Sequence, residues 1–191
     1  GTTSRGLGDV YKRQGHHGFR VRSLSQMAYP SAALRRDFTI NSIAYDPLNH
    51  QFLDPFQGRR DLERKSLRHI GSSFSEDPLR VLRAMQFSAR FEFRVAPETT
   101  RLCRTLELDE LPKERIFEEF KKLLLLSEKP SRGMETAREL GILKGFPEIN
   151  HLAGIPQDPK CHPEGDVWNH TLRVLDAAAT FKTRLDAKDL E

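Results

Sequence analysis

The run Glu76-Asp77-Pro78-Leu79-Arg80-Val81-Leu82-Arg83 and its continuation to Phe91 constrain the fold more than any other stretch. Leu82, Met85 and Ala89 recur at i, i+3 and i+7, the period of a helix that buries one stripe. Asp77 is an N-cap residue type, and Pro78 takes the first helical position, where its missing N–H costs no hydrogen bond. A helix over residues 77–91 is therefore predicted. Segments 97–106, 112–126, 130–140 and 167–181 also read as helices. Breaks fall at Gly141, at Gly145-Phe146-Pro147 and across residues 154–163.

Ahead of Gly58 the pattern is different. Residues 39–45 (TINSIAY) are β-branched and aromatic, Asp46-Pro47-Leu48-Asn49 supply turn chemistry, and Gln51 to Leu53 resume an extended run, which predicts a hairpin. FRVRSL, starting at Phe19, alternates apolar and polar residues as a short strand does. Residues 1–14 show neither period, and SRGLGDVYKRQ resembles translated sequencing-adapter sequence, so they are set aside as an artefactual segment. No internal repeat is visible. The expected class is α+β, a small β portion followed by a helical array, joined near residues 58–75.

Composition excludes several classes. With 191 residues and 37% hydrophobic side chains the chain can bury a core. Mean hydropathy is −0.59, and no apolar run nears the ~20 residues a bilayer-spanning helix needs, so no membrane partner is expected. The start lacks the apolar stretch of a signal peptide, which makes a cytoplasmic location the expectation. Cys103 and Cys161 are too few and too far apart for a disulfide framework or a four-ligand zinc site. The net charge of +4 permits an anionic partner without demanding one. Arginine dominates lysine in the first half, and its planar fork suits phosphates and base edges.

Two clusters carry candidate chemistry. On a helix Asp77, Arg80 and Arg83 step by three and share a face away from the Leu82/Met85/Ala89 stripe. A carboxylate accepts from an exocyclic amine of cytosine or adenine, and arginine donates to the neighbouring ring nitrogen or carbonyl. Uracil and guanine present a carbonyl there instead, leaving two acceptors face to face, so the set can select C and A. The same residues would equally make i, i+3 ion pairs on a solvated helix. In the second cluster, Arg35 and Arg36 can clamp a polyphosphate, Asp37 can orient one of them or accept a ribose hydroxyl, and Asn41 both donates and accepts. Read alone, it is also compatible with a basic segment before a strand.

RRDFTINSIAYD, DPFQGRRDLERKSLRHIG, EDPLRVLRAMQFSARFEF and PKERIFEEFKKLL, in this order and spacing, resemble consecutive motifs of the class II tRNA nucleotidyltransferase and bacterial poly(A) polymerase family. The resemblance covers about residues 34–181. It implies that Asp77 and Arg80 read the base and that Arg83 is a further nucleotide contact. It also places Arg36, Asp37, Arg35 and Asn41 near ribose and phosphates. Residues 114–118 match a motif that buttresses the selecting helix and are expected to be structural. FPEINHLAGIPQDPKCHPEGDVWNHTLRVLDAAA resembles the entrance to an HD phosphohydrolase domain, in which His170 would be the first metal-ligand histidine; alone, one imidazole holds no catalytic metal. His16 and His17 read as a loop.

The resemblance implies residues 15–60 as the end of a nucleotidyltransferase head, 61–145 as a helical neck and 146–191 as the start of an HD domain. The expected parent transfers CMP and AMP from CTP and ATP to the tRNA 3′ end in tRNA processing. A poly(A) polymerase of the same family and a non-catalytic RNA-binding module are the alternatives. Family members carry, before the RRDFT motif, a Gly-rich segment and an Asp-x-Asp pair that holds two Mg²⁺ ions; no Asp-x-Asp occurs in this sequence. No residue here is therefore expected to be catalytic or to bind metal, and the chain is expected to be an internal portion, inactive alone. PSAALRRDF also lacks the acidic residues usual before the double arginine, and Gln57 stands where glycine is common.

Overall fold

The computed structural model describes residues 10–12, 19–21 and 29–181. Strand β1 (Val10–Lys12) pairs antiparallel with β2 (Phe19–Val21), Val10 opposite Val21. The strand expected at FRVRSL is thus β2, and its partner lies among residues 1–14, where the sequence shows no strand period. His16 and His17 lie outside the described residues.

Helix α1 (Tyr29–Ala33) leads into a 3-10 turn at Thr39–Ser42, and the hairpin follows as β3 (Ala44–Asp46) and β4 (Gln51–Leu53). Its register sets Tyr45 opposite Phe52. The hairpin is shorter than the composition of residues 39–45 predicts, because Thr39–Ser42 is tied down by side-chain bonds that a ladder cannot accommodate. The Thr39 hydroxyl donates to Asp61 at 2.6 Å and the Ser42 hydroxyl to the Thr39 carbonyl at 2.7 Å, both buried. Helix α2 (Gly58–Glu63) packs directly on this turn: a Cβ on Gly58 would lie 2.1 Å from the Thr39 carbonyl oxygen, so only glycine fits there. Gln57, just before it, has φ 60°, the left-handed conformation glycine favours.

The helical part centres on α3 (Leu79–Arg90), flanked by the short parallel pair β5 (Ser66–Leu67) and β6 (Arg94–Val95). Around it lie α4 (Pro97–Cys103), α5 (Lys113–Leu126) and α6 (Pro130–Glu139); α7 (Pro147–Asn150) and α8 (Val167–Phe181) follow. Every predicted helix is present, with ends shifted by up to three residues. Instead of one buried stripe, α3 is buried nearly all round: Val81, Leu82, Ala84, Met85, Phe87 and Ala89 all join the core. The reason is that α5 and α6 cover one side while Phe38, Leu67 and Phe74 cover another. Phe38 sits edge-on to Phe74 at 5.6 Å and to Phe87 at 5.8 Å, locking the segment after the double arginine onto α3. Its polar members are satisfied, Ser88 donating to the Met85 carbonyl at 2.7 Å and Gln86 accepting from Arg90 at 3.2 Å. Arg80, Arg83 and Arg90 are left half-buried along its margin.

Candidate functional site

The N-terminal end of α3 meets residues 35–41 and the first turn of α5 around one open cleft of about 520 Å³. It is lined by Arg35, Arg36, Asp37, Asn41, Asp77, Arg80, Arg83 and Arg115, with Leu79 and Phe87 as its apolar floor. All seven residues singled out from the sequence therefore converge. A larger cavity, about 860 Å³, lies between α3, α5 and residues 104–111; its wall is mostly aliphatic and aromatic, and none of the seven touches it.

The contacts within the cleft differ from those the sequence suggests. Asp77 caps the helix start as predicted, its Oδ1 accepting the Leu79 amide at 3.1 Å. Its Oδ2 takes no arginine of its own helix, and accepts instead from Arg115 on α5 at 2.9 Å. Residues 114–118, expected to be structural, thus send one guanidinium into the site. The residue type was visible, but nothing local in the sequence says that a side chain 38 positions away closes on Asp77. Arg80 turns its guanidinium to main-chain carbonyls, donating to Ser73 and, at 2.7 Å, to Arg35.

Asp37 is buried and accepts three donors. Its Oδ1 takes the Phe38 amide at 2.7 Å and the Asn41 side-chain amide at 2.8 Å, and its Oδ2 takes Arg83 Nε at 2.7 Å. The Arg83 guanidinium also lies 4.9 Å over the Phe87 ring. Asp37, Asn41 and Arg83 thus form a strut between residues 35–41 and α3. Arg35 and Arg36 are exposed, and neither has a carboxylate partner among the described residues. The cleft therefore offers one carboxylate edge, several N–H donors and two unpaired cations, a set suited to a polar planar group attached to an anion.

A family model described as the poly A polymerase head domain matches residues 10–68, and one described as the probable RNA and SrmB-binding site of polymerase A matches residues 92–152. The multifunctional CCA protein of Methylococcus capsulatus is 46% identical over 173 residues, 86% of this chain and 40% of that protein. The chain belongs to the CCA-adding and poly(A) polymerase family. Among solved structures, a CCA-adding enzyme with CTP shares 31% identity at a TM-score of 0.57, over 62% of this chain and 30% of that one. The Thermotoga maritima CCA-adding enzyme complexed with tRNA shares 30% at 0.56, over 68% and 32%. The chain spans about two fifths of the length of the curated relatives of this family that it matches. The family's α+β class is the class observed.

Farther along, His170 is not solitary. Its Nδ1 lies 2.6 Å from Glu164, and His162 lies 3.4 Å from the same carboxylate, the two rings edge-on at 4.7 Å. The hydrogen bond from His170 is the largest cause that holds the Glu164 carboxyl down at about 2. Among the described residues this is the one group of His, Cys, Asp and Glu dense enough to hold an ion, and two imidazoles with one carboxylate suit a transition metal far better than Mg²⁺. Among the described residues no helix is long and apolar enough to cross a membrane.

Proposed function

We propose that this chain carries the nucleotide-selecting part of an enzyme that adds CMP and AMP from CTP and ATP to the 3′ end of tRNA. The observation that carries this reading is the convergence of Asp77, Arg80, Arg35, Arg36 and Arg115 on one cleft. In it, Asp77 Oδ2 accepts the exocyclic amine of C or A, and Arg115 holds that carboxylate in place. Arg80, anchored on two carbonyls, donates to the adjoining acceptor of the base. A carbonyl in place of the amine would face Asp77 unpaired, which costs about 1–3 kcal/mol and favours C and A over U and G. Arg35 and Arg36 take the phosphates. Asp37, Asn41 and Arg83 act chiefly as the strut that sets the cleft's width, rather than as ribose or phosphate contacts.

Nucleotidyl transfer in such enzymes draws on Mg²⁺, which activates the attacking hydroxyl and neutralises the leaving pyrophosphate. The carboxylates here do not fit that ion: Asp37 is spent on Arg83, Asp61 on Arg68 and Asp77 on Arg115, and the sequence contains no Asp-x-Asp. The chemical step is therefore assigned to no residue of this chain. The parts proposed are residues 15–60 as the end of the head, 61–145 as a neck that selects nucleotide and holds RNA, and 146–191 as the start of an HD domain, in a cytoplasmic protein.

The test is incorporation onto tRNA lacking its terminal CCA, by this chain joined to an Asp-x-Asp-bearing head segment. Ordered addition of C, C and A is expected. Both family models take their descriptions from poly(A) polymerase, which keeps that second reading open; repeated addition of A alone would establish it and overturn CCA addition.

A further inference from the structure

A second arrangement lies on the hairpin and α2, sharing no lining residue with the nucleotide cleft. Tyr45 and Phe52 face each other across β3 and β4 with ring centroids 5.2 Å apart, yet remain 48% and 59% exposed. Arg59, in the first turn of α2, lays its guanidinium 5.3 Å over the Phe52 ring. Arg60 and Arg64 line an adjoining cleft of about 480 Å³ together with Arg68 and Glu98. Arg59, Arg60 and Arg64 have no carboxylate partner among the described residues, while Arg68 is neutralised by Asp61 at 2.8 Å.

A cross-strand aromatic pair left uncovered beside three unpaired cations is costly in isolation, since it exposes apolar area and concentrates like charge. Both costs are relieved by a partner with flat π faces joined by negative charges. We infer that this face binds the unpaired nucleotides of a single-stranded nucleic acid. Bases stack on the Tyr45–Phe52–Arg59 layer, and the phosphates between them reach Arg60 and Arg64. A duplex would be bound less well, because its base faces are already stacked on one another. Tyr45, Phe52, Arg59, Arg60 and Arg64 all lie outside residues 92–152, the part that matches a probable RNA-binding site and that contributes only Ala96, Pro97 and Glu98 to the adjoining cleft, so they form an additional surface. It is built from residues other than those of the nucleotide cleft, and so stands or falls separately from the selection of C and A.

The experiment is photocrosslinking of the 191-residue chain to a short single-stranded RNA bearing 5-iodouridine, with the adducts mapped by mass spectrometry. Adducts on Tyr45 or Phe52 are expected, and adducts confined to other surfaces would overturn the proposal. In fluorescence anisotropy the Tyr45→Ala/Phe52→Ala double variant should bind that RNA about tenfold more weakly, the loss of one stacked base. Phe52→Tyr should keep the affinity, and neither change should alter CTP binding. An undiminished affinity in a natively folded double variant would refute the stack, as would an equal loss toward duplex RNA. Capture of an acidic protein through the same residues, with no RNA binding, would replace nucleic acid as the partner.

Discussion

Removing Arg83 should destabilise the chain through Asp37. The Asp37 side chain is 8% exposed and that of Arg83 32%, so the pair at 2.7 Å is buried on one side only. In Arg83→Met, Oδ1 of Asp37 keeps its two donors, Phe38 and Asn41, while Oδ2 loses its donor and the charge its counterion. Orphaning one member of a fully buried pair costs about 3–5 kcal/mol; with Oδ1 satisfied and water able to reach the vacated side, about 2 kcal/mol is expected. That corresponds to a midpoint lower by roughly 4–8 °C for a chain of this size. Urea unfolding followed by the fluorescence of Trp168, buried on α8, measures it. In Asp37→Ala/Arg83→Met no charge is orphaned, so the double-mutant cycle should show a coupling of about 1–2 kcal/mol. A loss within about 0.5 kcal/mol in Arg83→Met, or additive single variants, would refute the strut.

Three further outcomes rest on other contacts and on burial. Arg115→Ala breaks an exposed pair, so stability should change by less than about 1 kcal/mol, while the preference for CTP and ATP over UTP and GTP falls several-fold in competition binding. Cys103 is 1% exposed with its thiol pushed up to about 12 by burial, whereas Cys161 is exposed; a thiol reagent should modify one group quickly in the native chain and the second only on unfolding. Glu164 has its native pKa lowered from 4.5 to about 2, so the stability it contributes is present above the ordinary carboxylate range and is lost as pH falls toward 2. Carboxyl NMR should show that titration moving up toward 4.5 in His170→Ala.

The helices were legible in the sequence because their signals are local. Pro97 and Pro130 open α4 and α6, Pro112 immediately precedes α5, and Gly141 follows α6 in a left-handed conformation. The turn at Thr39–Ser42 was not legible: its β-branched composition argues for strand, and what decides against it is a hydroxyl bonded to Asp61, 22 residues on. The site divides the same way. Spacing alone puts Asp77, Arg80 and Arg83 on one side of α3, but which charges meet is set by tertiary packing. Asp77 goes to Arg115 and Asp37 to Arg83, 46 residues apart, in place of i, i+3 pairs within the helix. The all-round burial of α3 was hidden for a like reason, since Ala84 and Ser88 look solvent-tolerant until α5 and α6 close over them.

Calorimetric titration of CTP, ATP, UTP and GTP into the native chain and into Asp77→Ala measures whether Asp77 reads the base, as proposed. The native chain should bind CTP and ATP about tenfold more tightly than UTP and GTP, one unpaired acceptor's worth of free energy. In Asp77→Ala the four should bind nearly alike through Arg35 and Arg36. A preference for C and A that survives in Asp77→Ala, or its absence in the native chain, would contradict the account.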